Sequence, residues 1–122
     1  DVMTKPGSNG GIFFHTKYQD KGWPVGHEAQ INQTQKDPVK TGSVYIVKKN
    51  LKAPAKDNEW FHYEIIVQGN RVETKVDGKT VVVYEEGKEV KGKRKLSTGT
   101  IGLQAHDPGS VVLVKNIKVK SL

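Results

Sequence analysis

The stretch from Trp60 to Glu85 alternates apolar and polar residues with a period of two, and turn residues interrupt it twice. Successive side chains of a strand point to opposite faces, so this alternation predicts half-buried β-strands. Gly69-Asn70 turns the chain once, and Asp77-Gly78 marks a tight hairpin because both central positions of primed turns favour a positive φ. The stretch therefore predicts a three-stranded antiparallel meander.

The rest of the chain indicates the same class of fold. Val, Ile, Thr and Tyr are frequent, 13 glycines and 5 prolines supply turns, and no long segment has the helical period. At 122 residues the chain is large enough for one core. We predict an all-β sandwich of two antiparallel sheets, as a single domain over residues 1–122, with further strands at 12–16, 27–32, 42–47, 100–106 and 111–120.

Two of these predicted strands carry an unusual polar face. Glu28, Gln30 and Asn32 share one face of their strand, whereas the residues between them are apolar. Gln104 and His106 share the polar face of a later strand in the same way. Carboxylates and amides accept hydrogen bonds from hydroxyls, and amides also donate them, so the combination suits a sugar. We predict a carbohydrate site on one concave polar face.

The chain is basic, with a formal net charge of +7. Such a charge attracts nucleic acid, anionic lipid or acidic polysaccharide. Much of the excess lies in Lys88 to Lys95, which we interpret as a solvated, mobile hairpin loop without a catalytic role. Nucleic-acid binding also needs aromatic residues among the basic ones, and this loop has none. We expect no nucleic-acid partner, and a binder of anionic polymers fits the charge but not the polar face.

The sequence gives little information on the cellular compartment of the protein. No apolar run is long enough to cross a bilayer, and the absence of cysteine leaves the redox compartment open. Asp1 to Met3 reads as the end of a strand, so we expect an upstream segment and a sandwich that is incomplete at its N-terminus. We expect a bacterial protein that is periplasmic or secreted, and the oligomeric state stays open.

A series of short motifs runs in order along nearly the whole chain. They are SNGGIFFH at 8–15, GHEAQIN at 26–32, KTGSVY at 40–45, EWFHYEI at 59–65, GNR at 69–71, VDGK at 76–79, GLQAHD at 102–107 and KNIKV at 115–119. The series resembles the 3-keto-disaccharide hydrolase domain family, formerly a domain of unknown function, which implies a concanavalin A-like (laminin G-like) jelly roll. The chain departs from the family where an Asn-Ser-Gly turn is usual and Asn9-Gly10-Gly11 stands here.

The resemblance implies action on glycosides, including disaccharides, that are oxidised at C3. Ordinary glycosidases use two carboxylates, whereas Glu28 is the one carboxylate on the candidate face. A 3-keto group acidifies the C2 proton, so a single base can remove it, the enediolate expels the C1 substituent, and water adds back. We predict Glu28 as the base and His106 as its acid or base partner.

Other polar and aromatic residues are predicted to bind the sugar. Trp23 would stack on a sugar ring, and the rest would bind hydroxyls or the ketone. These predicted substrate-binding residues are His15, Gln30, Asn32, Tyr45, Gln104 and Trp23.

Structural roles compete with these assignments. Glu28 could form a salt bridge, His106 could anchor a loop, and His15 could be a strand histidine without a ligand. His15, Glu28 and His106 are also ligand types for zinc or another divalent ion, but their spacing matches no recognised motif, so a divalent metal cofactor stays open.

Two functions fit the polar face. The first is an enzyme that cleaves 3-keto-glycosides, and the second is a non-catalytic carbohydrate-binding module on the same fold. Jelly rolls host both, so the fold does not separate them. A carbohydrate partner is expected in either case.

Overall fold

The computed structural model describes residues 1–105 and 107–122. Within these residues the chain forms eight β-strands and no helix, and all strand pairs are antiparallel. The strands are β1 (Val2–Thr4), β2 (Asn9–Lys17), β3 (Val25–Asn32), β4 (Tyr63–Gln68), β5 (Arg71–Val76), β6 (Lys79–Glu85), β7 (Thr100–Leu103) and β8 (Val112–Val114). The predicted all-β class is confirmed. In this part of the chain no helix could span a membrane.

The strands form three small sheets, with orders β4-β5-β6, β3-β2-β7 and β1-β8. The first is the predicted meander, and its β5–β6 turn has Asp77 at φ 49° and Gly78 at φ 77°. These two positive values are those of the tight primed turn that the Asp-Gly pair predicts. A bridge between Val2 and Phe61 links β1 to the segment before the meander.

The sheets β3-β2-β7 and β4-β5-β6 pack face to face around two apolar clusters. Phe14 and Ala29 of the first sheet meet Val72 and Val82 of the second. The other cluster joins the β1 end of the sandwich to the same two sheets, and its buried members are Val2, Ile31, Phe61 and Val76. Burial of such side chains stabilises the fold by about 1.5–3 kcal/mol each. The alternate residues of β3 are therefore free to face away from the core.

The prediction of an extended strand at 42–47 is wrong. Val44 forms single bridges with Ala29 and with Lys48, so the chain touches β3 and then reverses. Ile46 at the reversal has φ 74°. Gly42 has φ 92° and lies against Val81, where a Cβ would overlap the valine side chain. Close packing on β6 and a left-handed turn thus replace strand geometry.

Other strand boundaries also differ from the prediction. β2 begins at Asn9 and not at residue 12, and β7 ends at Leu103. β8 covers only Val112–Val114 of the predicted strand at 111–120, and the positive φ of Asn116 (54°) interrupts the extended backbone beyond it. The basic loop is not a hairpin, because β6 pairs with β5 whereas β7 pairs with β2 of the other sheet.

Candidate active site

A cavity of about 370 Å³ lies over the outer face of the β3-β2-β7 sheet. β3 contributes Glu28 and Gln30, and β2 contributes Asn9 and Phe13. Phe13 is the strand partner of Glu28, so their side chains share a face. Gln104, just beyond β7, completes this floor. The cavity is of the size that binds small ligands in proteins.

Glu28 lies in the floor of the cavity and is only 5% exposed. Its Oε1 accepts a hydrogen bond of 2.9 Å from Nε2 of Gln104. Gly11 lies beneath it on β2, and a Cβ at that position would overlap Oε1, Cδ and Cγ of Glu28. The missing side chain of Gly11 thus lets the carboxyl group of Glu28 lie flat across β2 and reach Gln104.

Burial raises the pKa of the Glu28 carboxyl from 4.5 to about 7, because the charged form loses solvation. The positive charge of Arg94 and the hydrogen bond from Gln104 oppose this shift, and the negative charge of Asp37 adds to it. A carboxyl group with a pKa near 7 is suited to general acid or base chemistry at neutral pH.

The amides beside Glu28 have spare hydrogen-bonding capacity. Within residues 1–105 and 107–122, Nε2 of Gln30 makes only long contacts, 3.4 Å to Oδ1 of Asn9 and 3.5 Å to the carbonyl oxygen of Val39. Among the described residues, Oε1 of Gln104 has no hydrogen-bond partner although it is buried. Buried polar atoms are usually paired, so these groups are available to a polar ligand.

The backbone under Gln30 is held from the other sheet. The hydroxyl of Tyr63 donates to the carbonyl oxygen of Gln30 (3.0 Å) and accepts from the N–H of Gly42 (3.1 Å). Burial raises the pKa of Tyr63, so this hydroxyl keeps its proton. The centre of β3 is thereby fixed relative to the 42–48 turn that carries Tyr45.

Aromatic side chains form one wall of the cavity. Trp23 is 53% exposed, and its ring centroid lies 6.4 Å from that of Phe13, with the planes tilted by 31°. Tyr45 also lines the cavity. Exposed aromatic faces suit the apolar faces of sugar rings, so the predicted platform at Trp23 has the right surroundings.

Three charged residues that line the cavity were not predicted from the sequence. They are Asp37, Arg94 and Asp107. The cavity thus holds Asp37 and Asp107, which lie outside the strands, besides Glu28, the one carboxylate predicted on the strand face. Oδ1 of Asp37 accepts from the N–H of Val39 (2.8 Å), and Oδ2 of Asp107 accepts from the hydroxyl of Ser110 (2.9 Å), so both carboxylates also hold local turns.

Arg94 corrects the interpretation of the basic loop as wholly solvated. It lies within that loop, yet it faces the cavity and acts on the pKa of Glu28. Two residues later, the N–H of Leu96 donates to Oε1 of Glu86 (2.7 Å). Glu86 is buried, and its Oε1 lies 3.6 Å from Nε2 of His27. The loop is thus tied to the core next to Arg94.

His27 itself belongs to the core and not to the cavity. Its side chain is fully buried and stacks on Phe14, with ring centroids 5.7 Å apart. Burial lowers the pKa of His27, and the nearby carboxylate of Glu86 acts against this effect. His27 therefore supports β3 from behind the Glu28 carboxyl.

The structure brings together Glu28, Gln30, Gln104, Tyr45 and Trp23 of the predicted site residues. Asn32 is buried, and its amide donates to the carbonyl oxygens of Asp37 (2.9 Å) and Val39 (3.0 Å). His15 has φ 49°, where the β2 register shifts, and its ring lies 6.0 Å from that of Phe14. Neither is among the described residues that line the cavity. His106 lies outside the described residues.

The described residues do not supply a metal site. Within 1–105 and 107–122, no group of three His, Asp or Glu side chains is placed to hold a metal ion. The predicted set of His15, Glu28 and His106 includes a residue outside this range, so it stays a prediction.

Over residues 1–120 the sequence matches the family model described as 3-keto-alpha-glucoside-1,2-lyase-like domain. The match covers nearly the whole chain, as the ordered motifs indicate. No curated protein and no solved structure matches the chain.

Proposed function

Because the chain belongs to the 3-keto-alpha-glucoside-1,2-lyase-like domain family, we propose that it cleaves glycosides whose sugar is oxidised at C3. The observation that carries the proposal is the environment of Glu28. Its buried carboxyl has a pKa of about 7 and lies in a cavity of about 370 Å³ beside amides with free hydrogen-bonding capacity. Such a group can take a proton from carbon at neutral pH.

The reaction begins at the C2–H bond, which the neighbouring ketone acidifies. Glu28 takes the C2 proton, and the electron pair of the C–H bond is delocalised onto the ketone oxygen as an enediolate. The enediolate then re-forms the ketone and a C1–C2 double bond while the C1–O bond breaks. The leaving oxygen takes up a proton, for which His106 stays the predicted donor. Addition of water across C1 and C2 completes a net hydrolysis.

Arg94 is suited to the negative charge that develops during this step. It lies in the cavity wall, and its charge already acts on the Glu28 carboxyl. A fixed cation near a developing oxyanion lowers the barrier without reorganising at the moment of reaction. We assign Arg94 to the enediolate oxygen that forms at C3.

Gln30 and Gln104 are suited to hold the sugar hydroxyls. The amide of Gln30 has only long contacts, and Gln104 holds Glu28 while its own Oε1 is free within the described residues. Trp23 and Phe13 offer an apolar wall on which the ring can stack. Fixed orientation of the C2–H bond toward the carboxyl group is itself a large part of such catalysis.

The alternative function is a non-catalytic carbohydrate-binding module. The aromatic wall and the amides serve binding as well as catalysis. The raised pKa of the buried Glu28 carboxyl favours the enzyme, because a module that only binds hydroxyls does not need a proton acceptor with a pKa near neutral pH.

The decisive experiment compares an oxidised glycoside with its unoxidised parent. Purified protein is incubated with 4-nitrophenyl 3-keto-α-glucoside and with 4-nitrophenyl α-glucoside, each with and without chelator, and nitrophenol release is followed. We expect release from the keto substrate alone. Release from both would indicate a conventional two-carboxylate glycosidase, and binding without release would indicate the binding module.

A further inference from the structure

A second cavity, of about 300 Å³, adjoins the one that holds Glu28. Trp23, Pro24 and Arg94 line both cavities, so the two are parts of one continuous depression. The remaining wall comes from the 19–26 segment and from Lys93 of the basic loop. Nε2 of Gln19 donates to the carbonyl oxygen of Trp23, which folds this segment back on itself.

The lining of the second cavity is cationic. It contains Lys21, Lys93 and Arg94, and none of the described residues that line it carries a carboxylate. Among the described residues these three cations form no salt bridge, whereas Glu73 on the far sheet is paired with Arg71 and Lys75. Unpaired cations around a concave surface attract anions more strongly than the same charges on a convex one.

The residues that line the two cavities indicate which leaving group the second cavity can bind. The second cavity begins at the shared Trp23, so it offers a sugar held over Glu28 space for its C1 substituent. The exposed indole offers a face to a planar group, and the cations beyond it suit a negative charge.

We propose that the second cavity binds the leaving group, and that it selects leaving groups with an aromatic ring and an anionic substituent such as a carboxylate. This inference rests on the proposed function for the orientation of the sugar. It also predicts binding of the free anionic leaving group, which needs no turnover.

The first test is binding of two phenols of similar size and shape, one anionic and one neutral. Calorimetric titration compares 4-hydroxybenzoate with 4-hydroxybenzamide on the wild-type protein, at low and at moderate salt. We expect the benzoate to bind about five- to tenfold more tightly at low salt, with the preference shrinking as salt screens the cations. Equal affinities, or a preference that salt does not change, would overturn the proposal.

The second test is the leaving-group preference in turnover. Two aryl 3-keto-α-glucosides are compared, one with a para-carboxylate and one with a para-carboxamide on the phenol. We expect kcat/KM to favour the carboxylate about five- to tenfold, although the carboxylate phenol is the poorer leaving group. The Lys21→Ser/Lys93→Ser double variant should bring this ratio close to one.

A matched control uses two other lysines of the basic loop. Lys91 and Lys95 are exposed and are not among the described residues that line either cavity. The Lys91→Ser/Lys95→Ser variant removes the same net charge and should keep the preference. An equal loss in both double variants would show general electrostatic attraction and would overturn the assignment to the second cavity.

The experiments distinguish failure of the proposed reaction from failure of the proposed anionic subsite. If neither aryl substrate is cleaved but 4-hydroxybenzoate binds with the expected salt and lysine dependence, the proposed reaction is wrong and the anionic subsite stands. If both substrates are cleaved at the same rate, the reaction stands and the anionic subsite is wrong.

Discussion

The carboxyl group of Glu28 occupies the space over Gly11 that any side chain at residue 11 would need. The two residues lie on neighbouring strands, and Gly11 pairs directly with Gln30, the residue two positions beyond Glu28. The position of the candidate base is thus set by an absent side chain as much as by its hydrogen bond to Gln104.

The Gly11→Ala substitution should therefore displace Glu28 while leaving the sandwich folded. We expect kcat for a 3-keto-glucoside to fall about 10- to 100-fold, since a displacement of about 1 Å at a reacting group costs on this order. Gly102→Ala is the control on the same sheet, because among the described residues a Cβ there would meet only Cβ of Phe13, at 3.9 Å. Equal activity of the two variants would contradict the proposed role of Gly11.

The Glu28→Gln substitution tests the base directly. It removes the charge and the basicity but keeps an oxygen that can accept from Gln104. We expect kcat to fall about 100- to 10,000-fold, the range for loss of a positioned general base, while an unoxidised glycoside still binds. Glu59→Gln, at an exposed position, is the matched control. Near-normal kcat in Glu28→Gln would assign proton abstraction to another residue.

The pH dependence of turnover follows from the pKa of Glu28, which burial raises to about 7. A base must be ionised in order to take a proton, so kcat/KM for the keto substrate should rise with pH and level off above about 7. Initial rates from pH 5 to 9 would measure the ascending limb. A rate that is already level at pH 5 would contradict a base with a raised pKa at Glu28.

Stability should show the opposite trend. Between pH 4.5 and about 7 the folded chain keeps a proton on Glu28 that the unfolded chain has released. The free energy of unfolding therefore falls as pH rises through this window and then stays level. Glu28→Gln removes the effect, so it should be more stable than wild type by on the order of 2–3 kcal/mol at pH 8 and similar at pH 4. Urea denaturation at the two pH values gives the difference.

Glu86 offers a separate test of how the basic loop is held. Glu86→Ala leaves the Leu96 N–H without its acceptor and His27 without its nearest carboxylate. We expect a loss of about 1–3 kcal/mol in the free energy of unfolding. Glu86→Gln keeps an acceptor and should lose less, and Glu85→Ala, at an exposed neighbour, serves as the control. Similar losses at Glu85 and Glu86 would mean that the Leu96 bond contributes little.

Strand parity alone groups three residues of the cavity floor on one face, but it did not identify Asn9 and Phe13. Glu28 and Gln30 alternate with core residues on β3, and Gln104 follows the same rule beyond β7. Odd- and even-numbered residues of a strand point to opposite faces, so the position of a residue in the strand predicts its face. Asn32 shares that parity, but its amide is used by the 37–39 turn, which the strand pattern alone does not reveal.

Contacts between loops that are distant in the chain could not be predicted from the sequence. The basic segment is predicted to be solvated because it has no apolar period. In the structure Arg94 lines the cavity, and two residues later the Leu96–Glu86 hydrogen bond ties the loop to the core. Asp37 lies in a turn after β3, and its place in the cavity depends on the path of residues 33–42. The role of Gly11 could not be predicted from the sequence. A glycine in a strand indicates that another group approaches the backbone closely, but the sequence does not identify that group.

The position of Trp23 between the two cavities gives the protein an optical reporter. The chain has two tryptophans, and the other, Trp60, lies away from both cavities beneath Nζ of Lys115, which is 4.0 Å from its ring centroid. A ligand in either cavity would shield the half-exposed indole of Trp23 from water, and its emission would shift to shorter wavelength. In a Trp60→Phe background, intrinsic fluorescence would therefore follow occupancy of the depression alone, without labels and before any bond is broken.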